Sequence, residues 1–266
     1  MIQEETMTKT ILKAHELRVE FGGVTAVDKV TIEAHDNELI GLIGPNGAGK
    51  TTLFNLLTGV YKPTSGDVFI DDHDKLSQIN QLSPYKRSQL GIARTFQNIR
   101  LFKSRTVIEN VLIAMTAKNQ SYPLQAILRT PKFYRNEAQN RQKALSLLKI
   151  FGMTGVADEL ANTLPYGQQR RLEIVRALAT KPKILFLDEP AAGMNPQETA
   201  ELTELIKQIQ IQFKMTIVLI EHDMKLVMAV SERLYVLEYG KVLATGTPKE
   251  IQNNPAVIRA YLGEEG

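Results

Sequence analysis

The chain has 266 residues, of which 43% are apolar and 23% charged, and it carries a net charge of +3 at pH 7. This length fits one large domain or two small ones with a sizeable core. It has no cysteine, which excludes a disulfide framework and a thiolate metal site. No run reaches the ~18 consecutive apolar residues of a membrane span, and the N-terminal MIQEETMTKT lacks the apolar stretch of a signal peptide. These features predict a cytosolic protein, or one that a partner holds at a membrane.

Short β-like runs alternate with helical runs in the first part of the chain. Strands are predicted at 11–21 and 30–34, around a turn at Gly22 and Gly23, and then at 38–44, 63–71 and 91–97. A helix is predicted over 50–59, with Gly59 as its stop.

The pattern changes between residues 106 and 160. The segments TVIENVLIAM, EAQNRQKALSLLKIFGM and VADELANTL are helical by period, and residues 119–133 between them are interrupted by Pro123 and Pro131. Strands return at 183–188, 215–221 and 233–246, the last as a hairpin with Gly240 at its turn. Strands that alternate with helices predict a parallel sheet, here with an all-helical insert between its two halves.

The run GPNGAGKT, which follows the strand at 38–44, matches the phosphate-loop (P-loop) pattern G-x-x-x-x-G-K-[ST]. Its glycines let the backbone wrap phosphate oxygens with inward N–H groups, and the helix start adds a positive end. Lys50 is expected to reach the β- and γ-phosphates, and the Thr51 hydroxyl to bind Mg²⁺. The nucleotide-binding residues predicted here are Gly44, Pro45, Asn46, Gly47, Ala48, Gly49, Lys50, Thr51 and Thr52.

The run ILFLDEP is an apolar strand that ends in two adjacent carboxylates. Asp188 is expected to hold Mg²⁺, directly or through water. Neighbouring strand residues point to opposite sides, so Glu189 must leave the strand by the turn at Pro190, where it can polarise a water as general base. An ordinary N-cap acid beside a proline is the alternative, which the P-loop upstream disfavours.

Two further polar residues end predicted strands, Gln97 in GIARTFQ and His222 in TIVLIEH. The ends of parallel strands are where such sheets place ligand chemistry. Each residue alone is more often structural than functional, and only the combination favours a site.

The order of the P-loop, Gln97, LPYGQQRR, LFLDEP and IEHD closely resembles the ATPase subunit of ATP-binding cassette transporters, from about residue 10 to the end. The resemblance implies an α/β P-loop NTPase fold with a RecA-like parallel sheet core, an antiparallel β subdomain and an inserted α-helical subdomain. It implies one domain over 1–266. The core with its β subdomain takes about 10–97 and 166–246, the helical subdomain about 98–165, and a C-terminal helical tail 247–266.

The resemblance also implies roles and partners. Two such subunits sandwich two ATP molecules, with Mg²⁺, and the LPYGQ run of each faces the γ-phosphate held by the other. Gly167 and a helix beginning near Gln168 would then offer N–H groups and a positive helix end to the partner's phosphate. Phe21 resembles the aromatic that stacks on adenine, Gln97 the glutamine that contacts Mg²⁺ and senses the membrane subunit, and His222 the histidine that contacts the γ-phosphate. The implied partners are a second ATPase subunit and transmembrane permease subunits, with no nucleic acid, at the inner face of the cell membrane.

Two departures from the family pattern affect these roles. Pro165 replaces the usual signature serine and has neither a hydroxyl nor a backbone N–H. Asn195 replaces the usual aspartate of the intersubunit loop AAGMN. ATPase competence is expected to survive, because Gly167 and the helix start remain.

Within the family, four runs are most similar to one ATPase of branched-chain (hydrophobic) amino-acid importers: RTFQNIRLF, the insert around LRTPKFYRNEA, LPYGQQRRLEI and GTPKEIQNNPAVIRAYLGEE. The ATPase of the lipopolysaccharide exporter is an alternative, and a soluble ATP-switch protein is an alternative of another class. The transported solute and the choice between homodimer and heterodimer stay open. After Gln97, the run NIRLF places Ile99, Leu101 and Phe102 as an exposed-looking apolar dock for a membrane subunit, with packing inside the helical lobe as the competing interpretation.

Overall fold

The computed structural model describes residues 9–116 and 131–262. Its strands are β1 (Thr10–Phe21), β2 (Val24–His35), β3 (Leu39–Ile43), β4 (Ser65–Asp72), β5 (Lys75–Gln78), β6 (Ile92–Arg94), β7 (Ile184–Asp188), β8 (Thr216–Ile220), β9 (Arg233–Glu238) and β10 (Lys241–Gly246). Its helices are α1 (Lys50–Thr58), α2 (Pro84–Gln89), α3 (Val107–Thr116), α4 (Pro131–Ile150), α5 (Tyr166–Ala179), α6 (Pro196–Phe213), α7 (Met224–Val230), α8 (Pro248–Gln252) and α9 (Pro255–Leu262). None of the helices in these two ranges has the length and apolar character to cross a membrane.

The larger sheet has six strands in the order β10-β9-β3-β8-β7-β6. Its strands are parallel apart from β10, which runs antiparallel to β9. All five residues in each of β3, β7 and β8 are buried, as expected for unbroken apolar runs in a sheet covered on both faces. Because these strands are parallel, their carboxyl ends open at one edge of the sheet, where the loops that follow them meet.

Alternate residues of the parallel strands belong to two separate hydrophobic cores. Ile40 and Phe186 pack in one core with α1 and the smaller sheet, whereas Leu39 and Leu187 pack in the other with the helices of the insert. This division follows from the two-residue period of a strand, which sends neighbouring side chains to opposite faces.

The smaller sheet is antiparallel, with the strand order β2-β1-β4-β5. Its first hairpin turns at Gly22 and Gly23, whose positive φ angles of 54° and 86° suit glycine. The predicted antiparallel β subdomain and parallel P-loop core are therefore confirmed. Strand β5 and helix α2 carried too weak a pattern to be predicted.

The helical insert is confirmed at α3 and α4, which pack against each other and against α5. The interrupted segment predicted at 119–133 lies mostly outside the described residues. The helix predicted for VADELANTL (156–164) is wrong, because this segment contains only the last residue of one 3-10 turn, Thr154–Val156, and a second 3-10 turn, Ala161–Thr163. Instead, the carbonyls of Ala157 and Glu159 accept the first N–H groups of α3, from Ile108 and Val107, both at 2.9 Å. The segment thus satisfies donors that a helix start leaves without partners.

Three predicted boundaries also change. Strand β6 ends at Arg94, so Gln97 lies three residues into a loop, and β8 ends at Ile220, two residues before His222. Helix α5 begins at Tyr166 rather than near Gln168. Because Gln97 and His222 lie in loops, their side chains are not bound to the alternating directions of a strand and can point toward the same site.

Candidate nucleotide site

The P-loop, residues 44–51, connects β3 to α1 at the carboxyl edge of the larger sheet. Two of its glycines admit no side chain. Gly44 has φ 148°, and a Cβ there would lie 2.1 Å from the Leu237 carbonyl oxygen. Gly49 has φ 96°, and its Cβ would lie 2.5 Å from the Ala26 carbonyl oxygen. The glycines therefore allow close backbone approach and the left-handed turn that starts α1.

The Lys50 ammonium is folded into this loop. Lys50 is only 6% exposed, and its Nζ donates to the carbonyl oxygens of Gly44 at 2.6 Å and Pro45 at 2.9 Å. Burial lowers the pKa of Lys50, while the negative charge of Glu189 acts in the opposite direction. Thr51 and Thr52 follow on the first turn of α1, where the Thr51 side chain is exposed. The loop thus presents one cation and a hydroxyl at a helix start.

Asp188 ends β7 and is 3% exposed. Its Oδ2 accepts a hydrogen bond from Arg94 Nη2 at 2.7 Å. Residues 9–116 and 131–262 contain no group of three acidic or histidine side chains that could hold a metal by itself. Mg²⁺ in nucleotide sites is held by one or two side-chain oxygens together with phosphates, so the oxygen donors of Asp188 and Thr51 fit that ion.

Glu189 leaves the strand through its own backbone, which has a positive φ of 47°. The prediction placed this turn at Pro190, one residue later. The Glu189 N–H still donates to the Ile220 carbonyl at 2.9 Å, so the residue is anchored to β8. A non-glycine residue in this left-handed region costs on the order of 1–3 kcal/mol, and such strain is concentrated at functional sites.

The carboxylate of Glu189 joins the two polar residues predicted from other strand ends. Its Oε2 accepts from Gln97 Nε2 at 3.0 Å, and its Oε1 lies 2.8 Å from His222 Nε2. The Glu189 side chain is 14% exposed and that of His222 50%, so the group sits at the surface of the edge. The structure therefore brings Gln97, Glu189 and His222 together, close enough to the P-loop for the Glu189 charge to act on Lys50.

The loop that carries Gln97 is held by a buried ion pair of α5 that the sequence did not single out. Arg170 donates to the carbonyls of Phe96 at 2.5 Å and Gln97 at 2.7 Å, while Glu173 accepts from the N–H groups of Phe96 and Arg100, both at 3.3 Å. Arg170 is completely buried and Glu173 nearly so, and burial raises the pKa of Glu173. Arg170 and Glu173 carried no motif signal, because the backbone groups of the loop that they hold lie more than seventy residues away in the chain.

Glu221 is a second residue that the sequence analysis missed. Its Oε1 accepts from the Ala191 N–H at 2.6 Å and its Oε2 from the His222 N–H at 3.0 Å. It is 5% exposed, and burial raises its pKa. One side chain thus ties the backbone after Glu189 to the backbone of His222. The only signal was an acid at the end of an apolar strand.

The LPYGQ run opens α5 beside the start of α6. Pro165 is the N-cap residue and offers no side-chain cap. A Cβ on Gly167 would lie 2.9 Å from Glu198 Oε1, so a carboxylate of the same chain borders this turn. Gln168 Oε1 is buried and has no hydrogen-bond partner among the described residues. Asn195 is the N-cap of α6, in a capping box with Glu198. Aspartate would cap equally well, so nothing in the structure explains the departure at this position.

Phe21 lies at the end of β1 and is 46% exposed. Its ring meets the Tyr61 ring edge-on, with centroids 5.2 Å apart. A ring with nearly half of its surface exposed suits stacking on a ligand better than core packing.

A glycine loop between strand and helix, a buried lysine inside it, and two carboxylates at a nearby strand end define a P-loop nucleoside triphosphatase. A family model described as ABC transporter matches residues 27–192, and one described as branched-chain amino acid ATP-binding cassette transporter matches residues 241–266. The chain belongs to the ABC transporter family, as an ATP-binding, ATP-hydrolysing protein.

The chain is 48% identical over 258 residues to the high-affinity branched-chain amino acid transport ATP-binding protein LivG of Escherichia coli K12, covering 97% of this chain and 100% of that protein. It is 33% identical over 256 residues to the lipopolysaccharide export system ATP-binding protein LptB of Haemophilus influenzae, covering 96% and 98%.

Two solved structures are also similar. The ADP conformation of MJ1267, an ATP-binding cassette of an ABC transporter, superposes with a TM-score of 0.81 at 31% identity, covering 96% of this chain and 100% of that one. A dimeric post-hydrolysis state of the ATP-binding cassette MJ0796, bound to ADP and Pi, superposes with a TM-score of 0.74 at 25% identity, covering 90% and 99%.

Proposed function

We propose that this chain powers the import of branched-chain amino acids by hydrolysing ATP for a membrane permease. The main structural support for ATP hydrolysis is the Glu189 carboxylate, which lies between Gln97 and His222 at the same edge of the larger sheet as the P-loop. The solute assignment is supported by the 48% identity to LivG and by the C-terminal family match. The lipopolysaccharide exporter has weaker support, at 33% identity to its ATPase.

In the proposed site, residues 44–52 wrap the phosphates, Lys50 neutralises them and Phe21 stacks on adenine. Thr51, Gln97 and Asp188 are the residues that would hold Mg²⁺, which when bound neutralises phosphate charge and orients the γ-phosphate. Glu189 takes the proton of the attacking water, and His222 contacts the γ-phosphate. The contacts with Gln97 and His222 restrict the orientation of the Glu189 carboxylate, which supports its assignment as the base.

A second ATPase subunit completes the site in this proposal. Gly167 and Gln168, at the start of α5, would face the phosphate bound by the partner's P-loop. Tyr166, beside them, is 46% exposed, and the buried Gln168 Oε1 lacks a partner among the described residues. The Glu198 carboxylate next to Gly167 would repel a phosphate, so dimer closure must separate or screen these groups. The related cassette MJ0796, solved as a dimer with ADP and Pi, supports a paired arrangement.

The permease would dock on a groove of about 450 Å³ between α1, α2, α3 and α5. Phe102 lines it and is 45% exposed, with Arg176 4.9 Å from its ring centroid. Of the three residues predicted as an apolar dock, Phe102 lines this groove, whereas Ile99 does not and Leu101 packs against the hydrophobic core. Docking here would place the chain at the inner face of the cell membrane.

The same proposal divides the chain into three parts: a core at about 10–97 and 166–246, a helical subdomain at about 98–165 and a tail at 247–266.

The test is uptake of radiolabelled leucine, isoleucine and valine into reconstituted vesicles that hold ATP and this chain on the inside, together with the permease that co-purifies with it. We expect ATP-dependent uptake that Glu189→Gln abolishes. Co-purification with a lipopolysaccharide exporter, or uptake unaffected by removal of the chain, would reject the amino-acid assignment while leaving the ATPase site in place.

A further inference from the structure

Arg94 places a buried guanidinium directly against Asp188. It is the last residue of β6, and its side chain is 8% exposed. Nη2 donates to Asp188 Oδ2 at 2.7 Å, whereas Nη1 donates to Asn55 Oδ1 at 2.6 Å and to Thr58 Oγ1 at 2.9 Å. One side chain therefore connects the helix of the P-loop to the carboxylate at the end of β7.

Two aromatic rings enclose this guanidinium. Its central carbon lies 5.8 Å from the centroid of Phe54 and 5.2 Å from that of Phe96. Contacts of a cation with the faces of aromatic rings add to its binding when it is removed from water. The position of Arg94 is consequently set by five neighbouring groups, and it cannot follow Asp188 freely.

The Asp188 side chain is 4% exposed, and its one ion pair among the described residues is with Arg94. A buried carboxylate without a partner is strongly destabilising, because its lost hydration is not replaced. The bonded oxygen is Oδ2, and no described residue donates a hydrogen bond to Oδ1. Arg94 therefore supplies the positive charge that Asp188 needs and engages only one of its oxygens.

We propose that Arg94 is the resident counterion of Asp188, which stabilises the carboxylate when no divalent ion is bound and moderates its affinity for that ion. The guanidinium repels a second cation on the same carboxylate. Arg94 therefore lowers the affinity of Asp188 for the divalent ion and stabilises the subunit when that ion is absent. This inference rests on the metal-binding role proposed above for Asp188.

The experiment measures ADP binding by calorimetry in Mg²⁺ and in EDTA, together with thermal unfolding in both, for the full chain. In Arg94→Met we expect the ratio of the ADP Kd in EDTA to that in Mg²⁺ to rise by about tenfold, since the competing charge is gone. In EDTA the Tm should fall by on the order of 10 °C, as for loss of one partner of a buried pair. Mg-ADP should recover part of that loss. Arg94→Lys keeps the charge and should hold the ratio within about threefold of wild type.

Two controls make the result specific. Arg233→Met breaks another ion pair, to Glu38 at 2.7 Å, beside the opposite end of β3. It should lower the Tm equally in Mg-ADP and EDTA and leave the Kd ratio unchanged. In an Asp188→Asn background, Arg94→Met should no longer raise the ratio, as a double-mutant cycle requires if Arg94 acts through Asp188.

The outcomes separate this inference from the proposal beneath it. If Asp188→Asn leaves the wild-type ratio intact, the metal role of Asp188 is wrong. If Asp188→Asn collapses the ratio but Arg94→Met leaves it unchanged, or raises it equally in both backgrounds, the counterion role alone is overturned. If Arg94→Met does not fold, Arg94→Gln replaces it, because glutamine keeps N–H donors without the charge. We expect Arg94→Gln also to raise the ratio of the ADP Kd in EDTA to that in Mg²⁺.

Discussion

His222 Nε2 lies 2.8 Å from Glu189 Oε1, although the two residues follow different strands and are 33 positions apart in the chain. The contact exists because β7 and β8 are adjacent and parallel, so the loops after them leave the sheet at the same edge. Gln97 reaches the same carboxylate from the loop after β6, the neighbour of β7 on the other side. Three adjacent strands thus define the surroundings of one carboxylate.

Glu189→Gln should retain ATP binding and lose turnover by about 10²–10⁴-fold. Glutamine has nearly the shape of glutamate, but its amide cannot accept the proton of the attacking water. Phosphate-release assays and equilibrium ATP binding measure the two effects. If ATP joins two subunits, this variant should also form a dimer with ATP and not with ADP on size exclusion, by mass action.

Wild-type turnover in Glu189→Gln would remove Glu189 as the base. An inactive variant that stays monomeric with ATP, alone and with its natural partner ATPase, would leave the chemistry standing and contradict the trans role of Gly167 and Gln168.

Lys50→Ala should weaken ATP binding by about 100-fold or more, because charge-assisted bonds to phosphate are lost from the loop. The fold should persist, as judged by circular dichroism. Lys13→Ala is the matched control, since Lys13 pairs with Glu33 at 2.6 Å on the smaller sheet, and its affinity should be unchanged. Equal ATP affinity in Lys50→Ala and wild type would reject the P-loop assignment.

Phe21→Ala should weaken ATP binding by tens of fold, on the scale of ~1–3 kcal/mol for stacking of a base on an aromatic ring. Phe21→Tyr should be nearly silent. Because the ring is half-exposed, we expect little change in Tm. A lower Tm with unchanged affinity would show instead that the Tyr61 contact makes Phe21 a packing residue.

Glu221→Gln should lower kcat by about tenfold with little change in KM, the pattern of a lost transition-state interaction. Both carboxylate oxygens of Glu221 accept backbone N–H groups, and an amide would set an NH₂ against one of them. Glu204→Gln, on the exposed side of α6, is the control. Wild-type kcat in Glu221→Gln would show that the Ala191 and His222 backbones hold their positions without it.

The same variant tests the pKa of Glu221, which burial raises above its ordinary value of 4.5. The folded protein binds this proton more tightly than the unfolded chain does. Its stabilising contribution is therefore complete below pH 4.5 and is lost as the pH rises through the raised pKa. Denaturant unfolding at stepped pH should show a smaller decline over that interval in Glu221→Gln than in wild type. Identical pH profiles would contradict the raised pKa.

A photoreactive cross-linker on Phe102→Cys should label a permease subunit in native membranes, because Phe102 lines the proposed docking groove. The same label on Ile211→Cys, where Ile211 is 73% exposed on α6 and outside the groove, serves as the control. Adducts from both positions, or from neither, would count against docking at this groove.

Much of this protein was determined by its sequence alone. The P-loop is contiguous, and its glycines, Lys50 and Thr51 need only a strand before them and a helix after. The buried strands β3, β7 and β8 showed themselves as unbroken apolar runs, and Gly22, Gly23 and Gly240 marked hairpin turns. These are local signals, in which each residue's preference concerns its own backbone or its immediate neighbours.

Tertiary structure decided which distant groups meet. That Glu189 lies between Gln97 and His222, that Arg94 pairs with Asp188, and that Arg170 and Glu173 hold the loop after β6 all depend on the strand order and on the helices packed over the sheet. The run VADELANTL shows the same limit. Its sequence has a helical period, but its carbonyl groups accept hydrogen bonds from the first N–H groups of α3 instead of forming a helix of their own. Such contacts are set by packing between segments far apart in the chain, and a buried polar group stays where a partner satisfies it.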